Sequence, residues 1–295
     1  MTEPLVVLAG ATGDLGGRVA QALARQGTRT RALVRPGSRT GVLPAKVETV
    51  AVDFADATAL REACQGATCV VSTVNGLRPV VLDLQSRLLD AAVAVGVPRF
   101  IPSDFSLDFT RTRPGDNRNL DLRRAFMARL DAAPVAATSI LNGAFADLLA
   151  GQAPIVLPRL RRVLYWGEPD QPLDFTTKDD VAAFTAAAAI DPSTPRILRI
   201  AGDSLSPRDL AAIITALTGR RFALLRGGGI GRLDLLIRLV RRLAPQPDAV
   251  FPAWQGMQYL RDMASGRGKL SPLDNDRYPD LRWTSAEEVL KRACE

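Results

Sequence analysis

One stretch constrains the fold more than any other: Leu5-Val6-Val7-Leu8-Ala9-Gly10-Ala11-Thr12-Gly13-Asp14-Leu15-Gly16-Gly17-Arg18-Val19. An apolar run stops at a glycine turn and an amphipathic helix starts at once, which is the order of a strand feeding a phosphate-binding loop. Gly10 permits the tight turn, Gly13 lets the backbone approach a pyrophosphate, and Gly16 lets the helix pack close to the sheet. Thr12, Asp14 and Leu15 complete the loop. The helix is expected from Leu15 to Gln26, with Val19, Ala22, Leu23 and Gln26 on one stripe and Gly27 as its stop. Its N-terminal N–H groups and positive dipole end would face the phosphates. Glycine at every third position in this context points to a bound dinucleotide rather than to an ordinary glycine-rich turn.

The rest of the chain repeats strand and helix in alternation. Strands are expected over Arg29–Val34, Val47–Val52, Thr68–Thr73, from Val97 onward, over Val135–Leu141 and over Arg196–Ile200. Helices are expected over Ala57–Cys64, Leu82–Ala94 and Asp180–Ile190, with Leu157–Asp174 as a hairpin whose turn lies near Tyr165-Trp166. Alternating βα units imply an α/β fold, a Rossmann-type doubly wound parallel sheet. A boundary near Ala201-Gly202-Asp203 divides residues 1–204, the dinucleotide-binding domain, from 205–295, a smaller and mostly helical substrate lobe. In that lobe Ser206 caps a helix over Pro207–Thr218, Gly219 ends it, and Gly227-Gly228-Gly229 reads as a flexible hinge. Ile230–Leu243 is a cationic amphipathic helix with Leu233, Ile237, Val240 and Ala244 on one stripe. A lid over the cleft or a membrane-surface element both fit it. Phe251, Trp254, Met257 and Tyr259 either line an apolar pocket or form the core of the lobe.

Arg35 ends the second strand about 20 residues after the glycine loop, where an NAD enzyme carries an acid for the ribose 2′-hydroxyl. An arginine there pairs instead with a 2′-phosphate, and Ser38 and Arg39 add to such a site, so NADP(H) is expected rather than NAD(H).

Composition removes several chemistries. The chain has no histidine, which excludes Ser-His-Asp and Cys-His catalysis, His-ligated zinc and histidine bases. Its three cysteines, Cys64, Cys69 and Cys294, have no metal spacing and read as reduced thiols, so no metal is expected. The net charge of +7 comes with only four lysines among 38 basic residues and no nucleic-acid motif, so no nucleic-acid partner is expected. No apolar run reaches the ~18 residues of a membrane span, and the first strand begins near the start of the sequence, so a cytoplasmic protein is expected.

The spacing Gly10-Ala11-Thr12-Gly13 with Leu15-Gly16 resembles the extended or atypical branch of the short-chain dehydrogenases/reductases. Gly96-Val97-Pro98-Arg99-Phe100-Ile101-Pro102-Ser103-Asp104-Phe105 narrows this to a resemblance to the NmrA-like and isoflavone-reductase-like family, good over about residues 4 to 205 and looser beyond. The resemblance implies that Asp53 and Phe54 lie beside the adenine, with core packing the alternative for Phe54. It puts Thr73, Val74 and Asn75 over the riboses, and Pro102, Ser103 and Phe105 at the floor of the site. It puts Asn142 and Phe145 at the substrate mouth, though Asn142 reads equally as a helix cap. Asp104 reads as readily as a cap or a structural ion pair as a catalytic group. Lys178 reads as a surface residue. In such reductases a lysine enters the site from the helix ahead of an Arg-Arg pair. Counting back from Arg123-Arg124, Asn119 holds that position, and a second family lysine falls on Asp121. The Tyr-x-x-x-Lys dyad is absent as well, for Tyr165, Tyr259 and Tyr278 have no lysine four residues on. An asparagine hydrogen-bonds but supplies no proton near neutral pH. Two functions therefore stand. One is an NADP(H)-dependent oxidoreductase reducing a small apolar carbonyl, enone or quinone, with Asn119 and Ser103 at the chemistry. The other is an inactive NADP(H)-binding redox sensor.

Overall fold

A computed structural model describes residues 3–151 and 153–294, with the side chain of Cys294 outside the described part. At its centre is a six-stranded parallel sheet. Its strands are β1 (Leu5–Ala9), β2 (Arg29–Val34), β3 (Glu48–Ala51), β4 (Cys69–Ser72), β5 (Arg99–Ile101) and β6 (Ala136–Ala137), in the spatial order β3-β2-β1-β4-β5-β6. All five pairings are parallel, β1 running in register with β2 at Leu5–Arg29 and with β4 at Val6–Cys69. Parallel strands need covered faces, and side chains alternate along β1 to meet two separate cores. Val6 and Leu8 join Val71 and Ile101 under α1 (Asp14–Arg25) and α5 (Lys178–Ile190). Val7 and Ala9 join Val70 and Phe100 under α2 (Ala57–Cys64), α3 (Gln85–Ala94) and α4 (Arg118–Asp131). Glycine and alanine on α1 and alanine on α5 let these two helices pack along each other.

Short strands build a second layer: β7 (Ser139–Leu141), β8 (Ala144–Phe145), β9 (Val156–Leu157), β10 (Arg162–Trp166), β11 (Leu173–Thr176), β12 (Ile197–Arg199), β13 (Asp203–Leu205) and β14 (Ala223–Gly228). These form sheets ordered β14-β10-β9, β13-β11-β8 and β12-β7. Helices α6 (Pro207–Thr218), α7 (Ile230–Leu243), α8 (Ala253–Ala264) and α9 (Ala286–Cys294) complete the chain. The core of this layer draws Ile155, Val163 and Phe175 together with Leu210, Ile214, Met263 and Leu290.

Several elements differ from their expected form. The strand expected over Val135–Leu141 changes partner at Thr138, pairing with β5 before it and with β12 after it. The helix expected from Leu82 begins earlier, as a wide π-turn over Pro79–Leu84. There the wholly buried Gln85 donates its amide back to the Val81 carbonyl. The hairpin turns at Pro158–Arg161, ahead of Tyr165, and β10 then leaves it to pair in parallel with β14. The triple glycine is no hinge. Gly227 and Gly228 sit inside β14 against Trp166, where a Cβ on Gly227 would lie 2.6 Å from the indole ring. Close packing on a large ring is the use of glycine here. Cys64 and Cys69 are buried free thiols, pushed up to about 11 and about 12 by desolvation, so both are inert as nucleophiles.

Candidate functional site

Strand order reverses between β1 and β4, which opens a crevice at the C-terminal ends of these strands. The glycine loop lies there. Gly10 leaves β1 at a φ of +81°, and a Cβ on it would stand 2.8 Å from Thr73 Oγ1. Thr73 donates both its N–H and its hydroxyl to the Ala9 carbonyl, each at 2.9 Å, which draws the end of β4 onto the loop. Gly16 is the tighter position, since its Cβ would fall 2.1 Å from the Gly10 carbonyl oxygen. So Gly16 packs the helix against its own loop as well as against the sheet. Gly13 begins α1 with no side-chain cap, whereas Asp56, Thr177 and Ser206 cap α2, α5 and α6. The first N–H groups of α1 are therefore left without side-chain acceptors, at the positive end of the helix, where an anion is stabilised. Thr12, Gly13 and Asp14 are exposed at the rim, and Leu15 packs on the core.

At the end of β2 the chain turns through Gly37, with the Ser38 N–H donating to the Arg35 carbonyl at 3.0 Å. Arg35 and Arg39 are exposed, Ser38 is half-buried, and among the described residues neither arginine has a carboxylate partner. Two unneutralised guanidinium groups on one short turn suit a phosphate. At the end of β3, Asp53 is exposed and accepts the Ala55 N–H at 2.9 Å. Phe54 is buried in the core cluster with Val52 and Leu60, and Asn75 is exposed beyond β4.

Lys178 is half-buried at the surface and paired. Its ammonium lies 2.7 Å from Asp14 and 3.3 Å from Asp147, and 5.8 Å from the centre of the Phe145 ring. It thus joins the first turn of α1 to the segment after β8. Burial works against its charge, but the two carboxylates hold it above the ordinary lysine value. Hydrogen bonds from Lys178 and Arg18 hold Asp14 below the usual carboxylate range. A carboxylate beside the phosphate loop repels an anion, and these two cations neutralise it. Lysine is rare in this chain, which was the available signal for Lys178, but nothing in its local pattern links it to the loop.

The floor is built where β5 ends. Pro102 and Ser103 are buried; Ser103 donates its hydroxyl to the Val74 carbonyl at 2.6 Å and its N–H to Gln85 Oε1 at 2.8 Å. Ser103 therefore ties β5 to β4. Asp104 is wholly buried and accepts the Ser139 hydroxyl at 2.6 Å; Ser139 in turn accepts from Arg196, which pairs with Asp131. Burial pushes the Asp104 carboxyl up to about 6, against the Ser139 hydrogen bond and the field of Arg123 and Arg196. It is neither a helix cap nor a direct ion pair. Phe105 lies in the core beneath α1 and α5.

At the start of α4 the protein fills its own site. Asn117 caps the helix at Leu120, donates to Asp262 Oδ2 at 2.9 Å and accepts from Gln255 at 2.8 Å. Asp262 also holds Arg261 at 2.9 Å, and all four side chains are buried. Arg118 donates to the carbonyls of Ala249 and Val250, and its guanidinium covers Trp254, which Arg241 also approaches. Asn119 is 2% exposed and donates to the Val250 carbonyl at 3.0 Å while accepting from Arg118. Its carboxamide faces the hydroxyl of Tyr259, whose ring packs near Phe251 and beside the cluster of Phe109, Leu120 and Leu141. Burial raises the Tyr259 pKa, so the phenol stays protonated. Its position beside Asn119 depends on α8 packing against α4, and no sequence spacing reports that.

Asn142 is fully exposed to protein and not at all to solvent, yet neither end of its carboxamide has a hydrogen-bond partner. Leaving such a group unmatched costs ~1–3 kcal/mol, so the site suits a polar ligand group or water. Asn142 caps no helix; β8 follows it, and Phe145 is half-buried beneath Lys178. Among the described residues no cluster of acidic and cysteine side chains could hold a metal ion, and no helix is long and apolar enough to cross a membrane.

Several relatives and solved structures span nearly the whole chain, three of them as follows. The isoflavone reductase homolog IRL of Zea mays is 29% identical, covering 97% of each chain. Pinoresinol reductase 1 of Arabidopsis thaliana is also 29% identical, over 97% of this chain and 96% of that one. The structure of AtPrR2 with NADP+ and (+)-pinoresinol superposes with a TM-score of 0.82 at 24% identity, covering 99% of both chains. The model of the NmrA-like family matches residues 2–228. With the reversal of strand order at β1 and β4 and the uncapped glycine loop beside it, this chain belongs to the NmrA-like family.

Proposed function

We propose that the chain is an NADP(H)-dependent reductase of a small apolar carbonyl, enone or quinone. Residues 1–204 hold the dinucleotide and 205–295 form the substrate lobe. The observation that carries this reading is the pairing of an uncapped helix N-terminus with two unneutralised arginines, Arg35 and Arg39, at the end of the adjacent strand. These are the two features that a diphosphate and a 2′-phosphate require.

In this reading the backbone of Gly10, Thr12, Gly13, Leu15 and Gly16 holds the diphosphate. Arg35, Ser38 and Arg39 hold the 2′-phosphate, Asp53 faces the adenine amine, and Thr73, Val74 and Asn75 lie along the riboses. When bound, the nicotinamide supplies a hydride. Pro102 and Ser103 form the surface on which the reacting groups rest, Phe145 makes one wall apolar, and Phe105 supports the floor from the core beneath. Asn142, whose carboxamide has no partner in the protein, orients the substrate oxygen by hydrogen bonding, while Asn119, held by Val250 and Arg118, positions the Tyr259 hydroxyl. The proton comes from the Tyr259 hydroxyl, a group kept protonated by burial and facing Asn119. A quinone needs little of this help, since its reduced oxygens are weakly basic.

Titration of the purified protein with NADPH and NADH, followed by nicotinamide fluorescence, tests the cofactor. NADPH is expected to bind tighter, and Arg35→Ala to weaken it at least tenfold, about 1.4 kcal/mol. Addition of menadione should then oxidise bound NADPH. Carbonyl reduction should fall about a hundredfold in Tyr259→Phe with binding unchanged. No binding of either nucleotide overturns the reading. The second reading, an NADP(H)-binding sensor without turnover, is favoured by Asn119 in the lysine position. It prevails where NADPH binds and no carbonyl, enone or quinone oxidises it.

A further inference from the structure

The chain's net charge is concentrated. Residues 220–243 contain seven arginines and one acid, Asp234, and so carry six of the seven net positive charges. The structure folds this stretch into β14 and α7. Leu233 and Ile237 turn inward and are buried. On the opposite side Leu235, Leu239 and Leu243 are 60%, 52% and 74% exposed. They recur every four residues and so line one stripe of the helix. Arg238 and Arg242, also four apart, run beside the stripe, and Arg232 stands one turn before Leu236. All three are exposed, and among the described residues none has a carboxylate partner. Asp234 is taken up by Arg261 at 3.2 Å, so the outer face of α7 presents no free acid.

We propose that this face docks the protein on an anionic lipid bilayer, with the leucines at the acyl boundary and the arginines among the headgroup phosphates. An exposed leucine row flanked by arginines is the pattern of a helix lying in the plane of a membrane surface. Charge alone would equally suit a nucleic acid, but three leucines in the middle of the face would then oppose phosphates. A symmetric dimer through α7 would set the same patch against itself, arginine against arginine. A bilayer satisfies both the apolar stripe and its cationic margins. The inference stands apart from the reductase reading, because it rests on α7 alone.

Flotation of the full chain with vesicles tests it. Vesicles of phosphatidylcholine are compared with vesicles in which roughly a third of the lipid is phosphatidylglycerol. The protein is expected to float with the anionic vesicles only and to be released as salt approaches ~0.5 M. Arg238→Gln with Arg242→Gln should lower binding by about twenty-five-fold, near fivefold for each charge. Leu239→Glu should lower it more than tenfold. Both variants alter exposed side chains, so their circular dichroism and thermal unfolding should match wild type. Absence of any preference for anionic vesicles overturns the proposal. Salt-sensitive binding that Leu239→Glu leaves intact, with equal affinity for duplex DNA, makes the patch a nucleic-acid surface instead. A dimer in sedimentation that Leu239→Glu dissociates makes it an interface between copies.

Discussion

Two helices begin near the same cleft, and they begin differently. α1 starts at Gly13 with no side-chain cap, its rim residues Thr12, Gly13 and Asp14 open to solvent. α4 starts at Asn117, whose side chain caps Leu120, binds Asp262 and accepts from Gln255, while the Arg118 N–H donates to Gln258 at 3.3 Å. Both termini carry the same positive dipole. At α1 it stays open to solvent. At α4 it is consumed by α8, so the start of α4 has become a joint between two parts of the protein. The difference teaches that a helix terminus left uncapped at the end of a sheet strand stays open to an anion, whereas one capped and bonded by a neighbouring helix becomes part of the scaffold.

The largest expected effect breaks the joint. Asp262→Ala takes from buried Arg261 its closest carboxylate, leaving it Asp234 and the Asp116 carbonyl, and leaves the Asn117 amide without its acceptor, which should cost about 3–5 kcal/mol by urea unfolding. A loss under ~1 kcal/mol would mean that water replaces the carboxylate and that the joint is loose. The next contrast lies within the open terminus. Gly16→Ala drives a Cβ into the Gly10 carbonyl and should cost about 3 kcal/mol together with nucleotide binding. Gly13→Ala meets that oxygen only at 3.3 Å and has ordinary backbone angles, so its cost should stay near ~1 kcal/mol, read from the same denaturation curves.

A third test concerns Asp104, just beyond the end of β5. Its folded pKa near 6 exceeds that of the unfolded chain, so folding is favoured by protonation. That contribution is fully present below about pH 4 and is lost as the pH rises through about 6. The fall should be about 2 kcal/mol, under the ~3 kcal/mol ceiling set by the size of the shift. Asp104→Asn should flatten the curve of stability against pH over this range. A curve that declines unchanged in the variant would assign the titration to another buried acid, with Asp180 and Asp262 the candidates.

Local signals read well where the physics is local. The strand, turn and helix around Gly10, Gly13 and Gly16 were legible because sterics within a few residues dictate them, and the start of α6 was legible through its Ser206 cap. Reading failed where a distant neighbour decides. Gly227 has the same local look as a hinge, but Trp166 presses on it from another strand. Lys178 has the look of a surface cation at the start of a helix, but α1 delivers Asp14 to it.

By itself the sequence determined the alternating βα order, the glycine loop, the arginines at the end of β2 and the absence of histidine chemistry, because each is written in contiguous residues or in composition. Only the tertiary structure decided that α8 clamps the start of α4, that Tyr259 faces Asn119, that Lys178 bridges the loop and the segment after β8, and that the leucines of α7 face outward. Most of those contacts join residues more than a hundred positions apart, and the rest join separate elements or turn on which of two apolar stripes is buried. Packing energy summed over the whole fold settles such questions, and no local pattern of side chains encodes it.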